Sequence, residues 1–146
     1  KDLEKIDFNQ YIIKLTEDLY RSYGINKSEI RLNTNINDLA ISIDSGVPCG
    51  LIINELISNS FKYAFPDRTK EDCEIKIDFS YLDNGMLQLI ISDNGIGLPE
   101  GIDIMKTGSL GLQLVETLVA QLDGTLEIDR TSGTAFIIKF KENSVK

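Results

Sequence analysis

Residues 48–66 read PCGLIINELISNSFKYAFP, and this stretch decides the fold. At about 100° per residue, Ile53, Ile57, Phe61 and Ala64 share one face of a helix. Glu55, Asn59 and Lys62 sit on the opposite face, the second and third each within about 40° of the first. Leu51, Ile52 and Leu56 hem that polar stripe on both sides. The spacing predicts a helix that opens at Pro48, a residue suited to a first turn, and stops near Pro66. Two readings of the stripe stay open. It is either a solvated face with an incidental Glu/Lys arrangement, or a cleft wall in which a carboxylate, an amide and an ammonium hold a metal-bound polyphosphate.

Upstream of this helix, Asp7 to Tyr23 reads as an amphipathic helix, with Phe8, Ile12, Leu15 and Leu19 at helical spacing. Asp7 is its N-cap and Gly24 its stop. Ile30 to Ile36 alternates as a half-buried strand does, and Leu39 to Ile43 reads as a second short strand. Downstream, Cys73 to Tyr81 and Met86 to Ser92 form strands around the turn signal Asp83-Asn84-Gly85. A Gly-rich loop, Asp93 to Gly97, and an irregular stretch to Gly108-Ser109 lead into a helix from Leu110 to Leu122. Leu114, Leu118 and Leu122 recur along it at i, i+4, i+8. Gly124 to Asp129 and Thr134 to Phe140 close the chain as a hairpin around Thr131-Ser132-Gly133. Helices interleaved with strand hairpins imply an α/β (α+β) two-layer sandwich, a mixed sheet of about five strands covered on one face by three helices.

The composition suits one domain: 146 residues, 42% hydrophobic and 26% charged, with 3 Pro and 11 Gly, which excludes disorder and collagen-like repeats. Fifteen Lys and Arg against 23 Asp and Glu leave a net charge of −8, which argues against nucleic acid and direct membrane contact as partners. No apolar run reaches the length of a spanning helix, and no signal peptide opens the chain. Cys49 and Cys73 form no CxxC pair and read as reduced, buried residues of a cytoplasmic domain. There is no histidine, so a histidine base, a histidine-ligated metal and a Ser-His-Asp triad are all excluded within this chain.

Two further constellations carry possible chemistry. Asp93-Asn94-Gly95-Ile96-Gly97 follows the apolar run Leu87-Gln88-Leu89-Ile90-Ile91. A carboxylate at a strand end can point into a pocket, and Gly95 and Gly97 permit close approaches; the same residues also make an ordinary turn. The spacing is neither GxGxxG nor a P-loop. Gly108-Ser109-Leu110-Gly111-Leu112 enters a helix, where backbone N–H groups can bind phosphate oxygens, or where Ser109 is simply an N-cap.

In this order the motifs resemble the ATP-binding catalytic domain of two-component sensor histidine kinases, within the GHKL (Bergerat-fold) ATPase superfamily. Pro48 to Pro66 resembles the N-box of the HisKA_2-type subgroup. SDNGIGLPEG, Ser92 to Gly101, resembles the G1 box. GSLGLQLV, Gly108 to Val115, resembles the G2 box, and Gly133-Thr134 stands where the last adenine-contacting motif lies. The stretch from Gly97 to Gly108 is short and carries no F-box, and Gly108-Ser109-Leu110-Gly111 lacks the doubled Gly-x-Gly.

The resemblance implies ATP and Mg²⁺ as cofactors. It makes Glu55 the catalytic acid/base or metal-orienting carboxylate and Asn59 the Mg²⁺ ligand. Lys62 would reach a phosphate and Tyr63 would lie against the nucleotide. Asp93 would accept from the adenine amine, helped by Thr134, with Gly95 and Gly97 wrapping the base. Gly108, Ser109, Leu110 and Gly111 would cover the phosphates. Guanine presents a carbonyl where adenine presents an amine, at a cost of about 1.5–3 kcal/mol against Asp93. Residues 1–24 would lead out of a phosphoacceptor hairpin and pack on an ATP-binding domain of residues 25–146. The implied partners are that histidine-bearing dimerisation hairpin, an upstream sensor domain and, indirectly, a response regulator. Two other functions fit the same motifs: a GHKL-type protein-serine kinase or ATPase whose Glu55 activates water, and a non-catalytic nucleotide-sensing module.

Overall fold

Ile75, Ile77 and Phe79 are fully buried and alternate with Glu74, Lys76, Asp78 and Ser80, the two-residue period of a strand with one covered face. The computed structural model describes residues 5–36, 40–66, 72–96 and 110–142. Along the chain run β1 (Lys5–Asp7), α1 (Phe8–Tyr23), β2 (Arg31–Ile36), β3 (Ala40–Ser42) and α2 (Ile43–Asn59). A π turn (Ser60–Ala64) extends α2, and β4 (Glu74–Tyr81), β5 (Met86–Asp93), α3 (Leu110–Gln121), β6 (Thr125–Asp129) and β7 (Thr134–Lys141) follow.

Five strands form one mixed sheet in the order β2-β4-β5-β7-β6. Only the β2–β4 pair is parallel, because the long connection between them contains α2. The register stacks apolar residues across the sheet: Phe79 opposite Leu89, Leu89 opposite Ile138, and Ile91 opposite Phe136. All three helices cover this face, as expected for a two-layer sandwich. Phe8 of α1 meets Phe79 edge-on at 5.0 Å, and Phe79 in turn lies against Phe140. Each large apolar side chain buried in this way contributes about 1.5–3 kcal/mol. The opposite face is mostly polar, with Asp78, Gln88 and Lys139 among the strand residues that point to it.

The helix ends follow their capping residues. Asp7 accepts from the Gln10 N–H at 3.3 Å, and Gly24, at φ 62°, closes α1 in the left-handed conformation. Cys49 and Cys73 are buried and form no disulfide, and burial pushes the Cys49 thiol up to about 12.

Four expectations need correction. Helix α2 opens at Ile43, not Pro48, because Ser42 caps it by accepting from the Ser45 N–H. Pro48 therefore lies inside the helix, and its missing N–H leaves the Asp44 carbonyl without its usual partner. The helix also widens: Ser60 to Ala64 form a π turn in place of a last α turn. The buried seam of α3 is Leu112, Val115, Leu118 and Val119, whereas Leu114 is 38% exposed. A strict four-residue step drifts about 40° per step around a helix, so it leaves the covered face that alternating steps of three and four hold. Finally, β1 pairs antiparallel with β3, a two-stranded unit in which β1 was not anticipated, since three residues carry no readable period.

Candidate functional site

Alternation along β5 places Leu87, Leu89, Ile91 and Asp93 on the same side of the strand. The apolar series thus ends in a carboxylate aimed at the helical layer. There Asp93 Oδ2 accepts from Ser60 Oγ at 2.9 Å, and Oδ1 accepts from the Gly95 N–H at 3.0 Å. Thr134 is paired with Asp93 across β5 and β7, and its backbone N–H favours the ionised form of the same carboxylate. Burial raises the Asp93 carboxyl above the ordinary carboxylate range, and these three donors pull it partly back. A half-buried acceptor held in place by its neighbours is suited to receive an N–H from a ligand.

Glycine is required beside it for lack of space. A Cβ on Gly95 would lie 2.6 Å from the Ala64 Cβ and closer still to the Ala64 carbonyl oxygen. The Ile96 N–H donates to that carbonyl at 2.9 Å, so the loop after β5 is seated on the π turn. A Cβ on Gly133, whose φ is 75°, would run into the Asp93 carbonyl oxygen and lie 3.0 Å from the Asn94 Cα. Asn94 is used structurally: its Oδ1 accepts from the Glu74 N–H at 2.8 Å, and its amide nitrogen donates to the Asp72 carbonyl.

The structure therefore brings together Asp93, Gly95 and Thr134 with the end of α2. Glu55 and Asn59 lie one turn apart on α2, both partly exposed, with Asn59 its last residue. Lys62 is exposed on the π turn, and Tyr63 beside it is 62% exposed. Leu110 opens α3, with Gly111 half-buried in its first turn. Gly97, Gly108 and Ser109 lie outside the described residues. Among the described residues no three His, Cys, Asp or Glu side chains gather to hold a metal. Asn59 is a fitting single ligand for Mg²⁺, which keeps waters and takes phosphate oxygens rather than a complete protein cage.

Ser60 and Ala64 were missed in the sequence. Ser60 carried a signal: a hydroxyl on the helix face that otherwise holds Ile53, Ile57 and Ala64 must find a buried partner. A separate concavity of about 620 Å³ lies between the end of α1 and the following loop, lined by Glu17, Tyr20, Ile25 and Lys27 among others. It holds none of these site residues, and its Lys27 is already paired with Glu17 at 3.8 Å.

The model of the histidine kinase-, DNA gyrase B- and HSP90-like ATPase family matches residues 46–144. The sensor histidine kinase PdtaS of Mycobacterium tuberculosis is 35% identical over 115 residues, covering 75% of this chain and 22% of that protein. Blue-light-activated histidine kinase 2 of Erythrobacter litoralis is 27% identical over 112 residues, covering 77% of this chain and 32% of that protein. The chain thus spans a fifth to a third of the length of these relatives. Among solved structures, the histidine kinase domain of Erythrobacter litoralis EL346 superimposes with a TM-score of 0.82 at 23% identity, over 94% of this chain and 62% of that one. The Acinetobacter baumannii histidine kinase AdeS gives 0.76 at 20% identity, over 97% of this chain and 68% of that one; both likenesses concern the fold. The chain belongs to the histidine kinase-, DNA gyrase B- and HSP90-like ATPase family, and it is an ATP-binding catalytic domain of the kind that sensor histidine kinases carry.

Proposed function

We propose that this domain binds Mg-ATP between the end of α2 and the end of β5 and directs the γ-phosphoryl to a histidine of a sensor kinase. That histidine lies outside these residues, since the chain has none. The observation that carries the reading is the Asp93 carboxylate, half-buried at a strand end and held by Ser60 and Gly95. Asp93 receives the exocyclic amine of adenine, and Gly95 keeps the approach to the base clear. Lys62 and Tyr63, exposed on the π turn, face the nucleotide, with Lys62 on a phosphate. Gly97 and the Gly108 to Gly111 segment enclose base and phosphates, with Ser109 and Leu110 among the residues of that cover.

Asn59 holds Mg²⁺, and Glu55, one turn earlier, orients its shell or serves as the acid/base. The cation neutralises phosphate charge, which a chain of net charge −8 otherwise repels. At an effective dielectric near 20, unit charges about 4 Å apart interact by about 4 kcal/mol, so Lys62 and one divalent ion decide binding locally. Phosphoryl transfer then depends on positioning and electrostatics more than on covalent chemistry.

Residues 1–24, including α1, lead out of the phosphoacceptor hairpin of the parent protein. The upstream sensor domain and the response regulator are its further partners. No helix among the described residues is long and apolar enough to cross a membrane, and we place the domain in the cytoplasm. The test is to mix the chain with Mg-ATP and a separately expressed histidine-bearing hairpin. Acid-labile, base-stable phosphate on the hairpin is expected. Phosphate on serine, steady phosphate release by the domain alone, or no transfer to a folded hairpin would each overturn the assignment.

A further inference from the structure

We propose that Ser60 is a positioning residue that sets base selection: by committing its only proton to Asp93, it fixes the carboxylate as an acceptor for an amine and offers no proton of its own to a carbonyl. The proposal rests on the nucleotide reading above. An ionised carboxylate has about four acceptor positions and no donor. Among the described residues Ser60 and Gly95 occupy two of them, leaving acceptor capacity for a ligand. The Ser60 hydroxyl has a single hydrogen, and at 2.9 Å from Oδ2 that hydrogen points to the carboxylate. At 7% exposure Ser60 has little bulk water with which to exchange that bond. Its remaining lone pairs accept only.

A 6-oxo purine therefore meets oxygen against oxygen, whereas adenine supplies the missing donor. Among the described residues the hydroxyl is also the one side-chain donor on Asp93 (Gly95 donates from its backbone), so it is the part of the arrangement that a substitution can remove. Without it, Oδ2 is free to turn or to take a water, and the acceptor offered to the ligand is no longer fixed in direction. The π turn bears on this geometry because Ser60 is its first residue.

The test is calorimetric titration of the chain and its Ser60→Ala variant with the magnesium complexes of ATP, GTP and purine riboside triphosphate, which has hydrogen in place of the amine. Alanine removes one oxygen and is the better helix former, so the variant should fold, as a thermal melt would verify. ATP is expected to bind about tenfold more weakly to Ser60→Ala, the scale of a hydrogen bond to a charged group. Purine riboside triphosphate should change by less than about twofold, and the ATP/GTP ratio should fall. In an Asp93→Ala background, Ser60→Ala should cost less than about twofold further, since the pair then no longer exists. Equal weakening of all three nucleotides, or unchanged ATP affinity, would overturn the proposal while leaving ATP binding intact. Failure of the wild-type chain to bind ATP at all would instead bring down the nucleotide reading itself.

Discussion

The Ile96 N–H donates to the Ala64 carbonyl oxygen across 2.9 Å, joining the loop after β5 to the last turn of the α2 segment. Asp93 lies three residues before one end of that bond, and Lys62 two residues before the other. The base-binding and phosphate-binding sides of the proposed site are therefore tied by a backbone contact and by the Ser60–Asp93 bond, not by proximity alone.

Gly95→Ala should disturb this junction directly. Its new methyl would press on the Ala64 backbone carbonyl, which has no rotamer to escape into. Overpacking of this kind costs about 1–3 kcal/mol. A urea titration should show the midpoint falling, with ATP affinity reduced in conditions where the variant is still folded. An unchanged midpoint would mean the loop can shift away without loss.

Asn59→Ala removes the amide proposed to hold the cation. ATP affinity measured in magnesium should fall by about 2 kcal/mol or more, roughly thirtyfold, the scale of an interaction with a charged partner. Affinity measured in EDTA should change little. Equal losses in both conditions would assign Asn59 a structural role.

Asp93→Asn keeps the shape and replaces an acceptor-only group with one that can also donate. ATP binding should weaken by about 1.5–3 kcal/mol, and the gap between ATP and GTP should narrow, because an amide nitrogen can serve the guanine carbonyl. Competition between the two nucleotides against a fluorescent analogue would read both effects.

The pH dependence has a defined sign. Burial raises the Asp93 carboxyl in the free domain, whereas the adenine amine requires the ionised form. ATP affinity should thus drop as pH falls through that raised value, at a higher pH than an ordinary carboxylate would give. The stability contribution runs the other way. A raised folded-state value stabilises the free domain below the unfolded carboxylate's range, and this is lost as pH rises through the folded-state value. Followed across pH, each relative to Asp93→Asn, the ATP dissociation constant and the urea midpoint should both rise as pH falls, because weaker binding accompanies a more stable free domain.

Periodicity alone exposes most of the architecture. Ile75, Ile77 and Phe79 alternate, Asp83-Asn84-Gly85 turns the hairpin, and Asp7 and Gly24 bracket α1. These features are local, so a window of a few residues contains the whole signal. Pro48 misled because proline suits a first turn, whereas the helix is capped six residues earlier, at Ser42. The carboxylate of Glu142, a hundred residues later, accepts from both the N–H and the hydroxyl of Ser42, and no local window contains that partner.

The candidate site divides along the same line. Asp93, Gly95 and Thr134 could be singled out by type and order along the chain. That they meet Ser60 and Ala64 follows from strand register and from the π turn. The chain's own pattern determined the elements, the covered face of the sheet and the residue types available for chemistry, because backbone geometry and apolar burial act over short spans. Which hydroxyl reaches the carboxylate, and which glycine must lack a side chain, was decided only when distant segments packed. Hydrogen bonds and steric exclusion depend on separations in space, and residues 33 positions apart have none until the fold is formed.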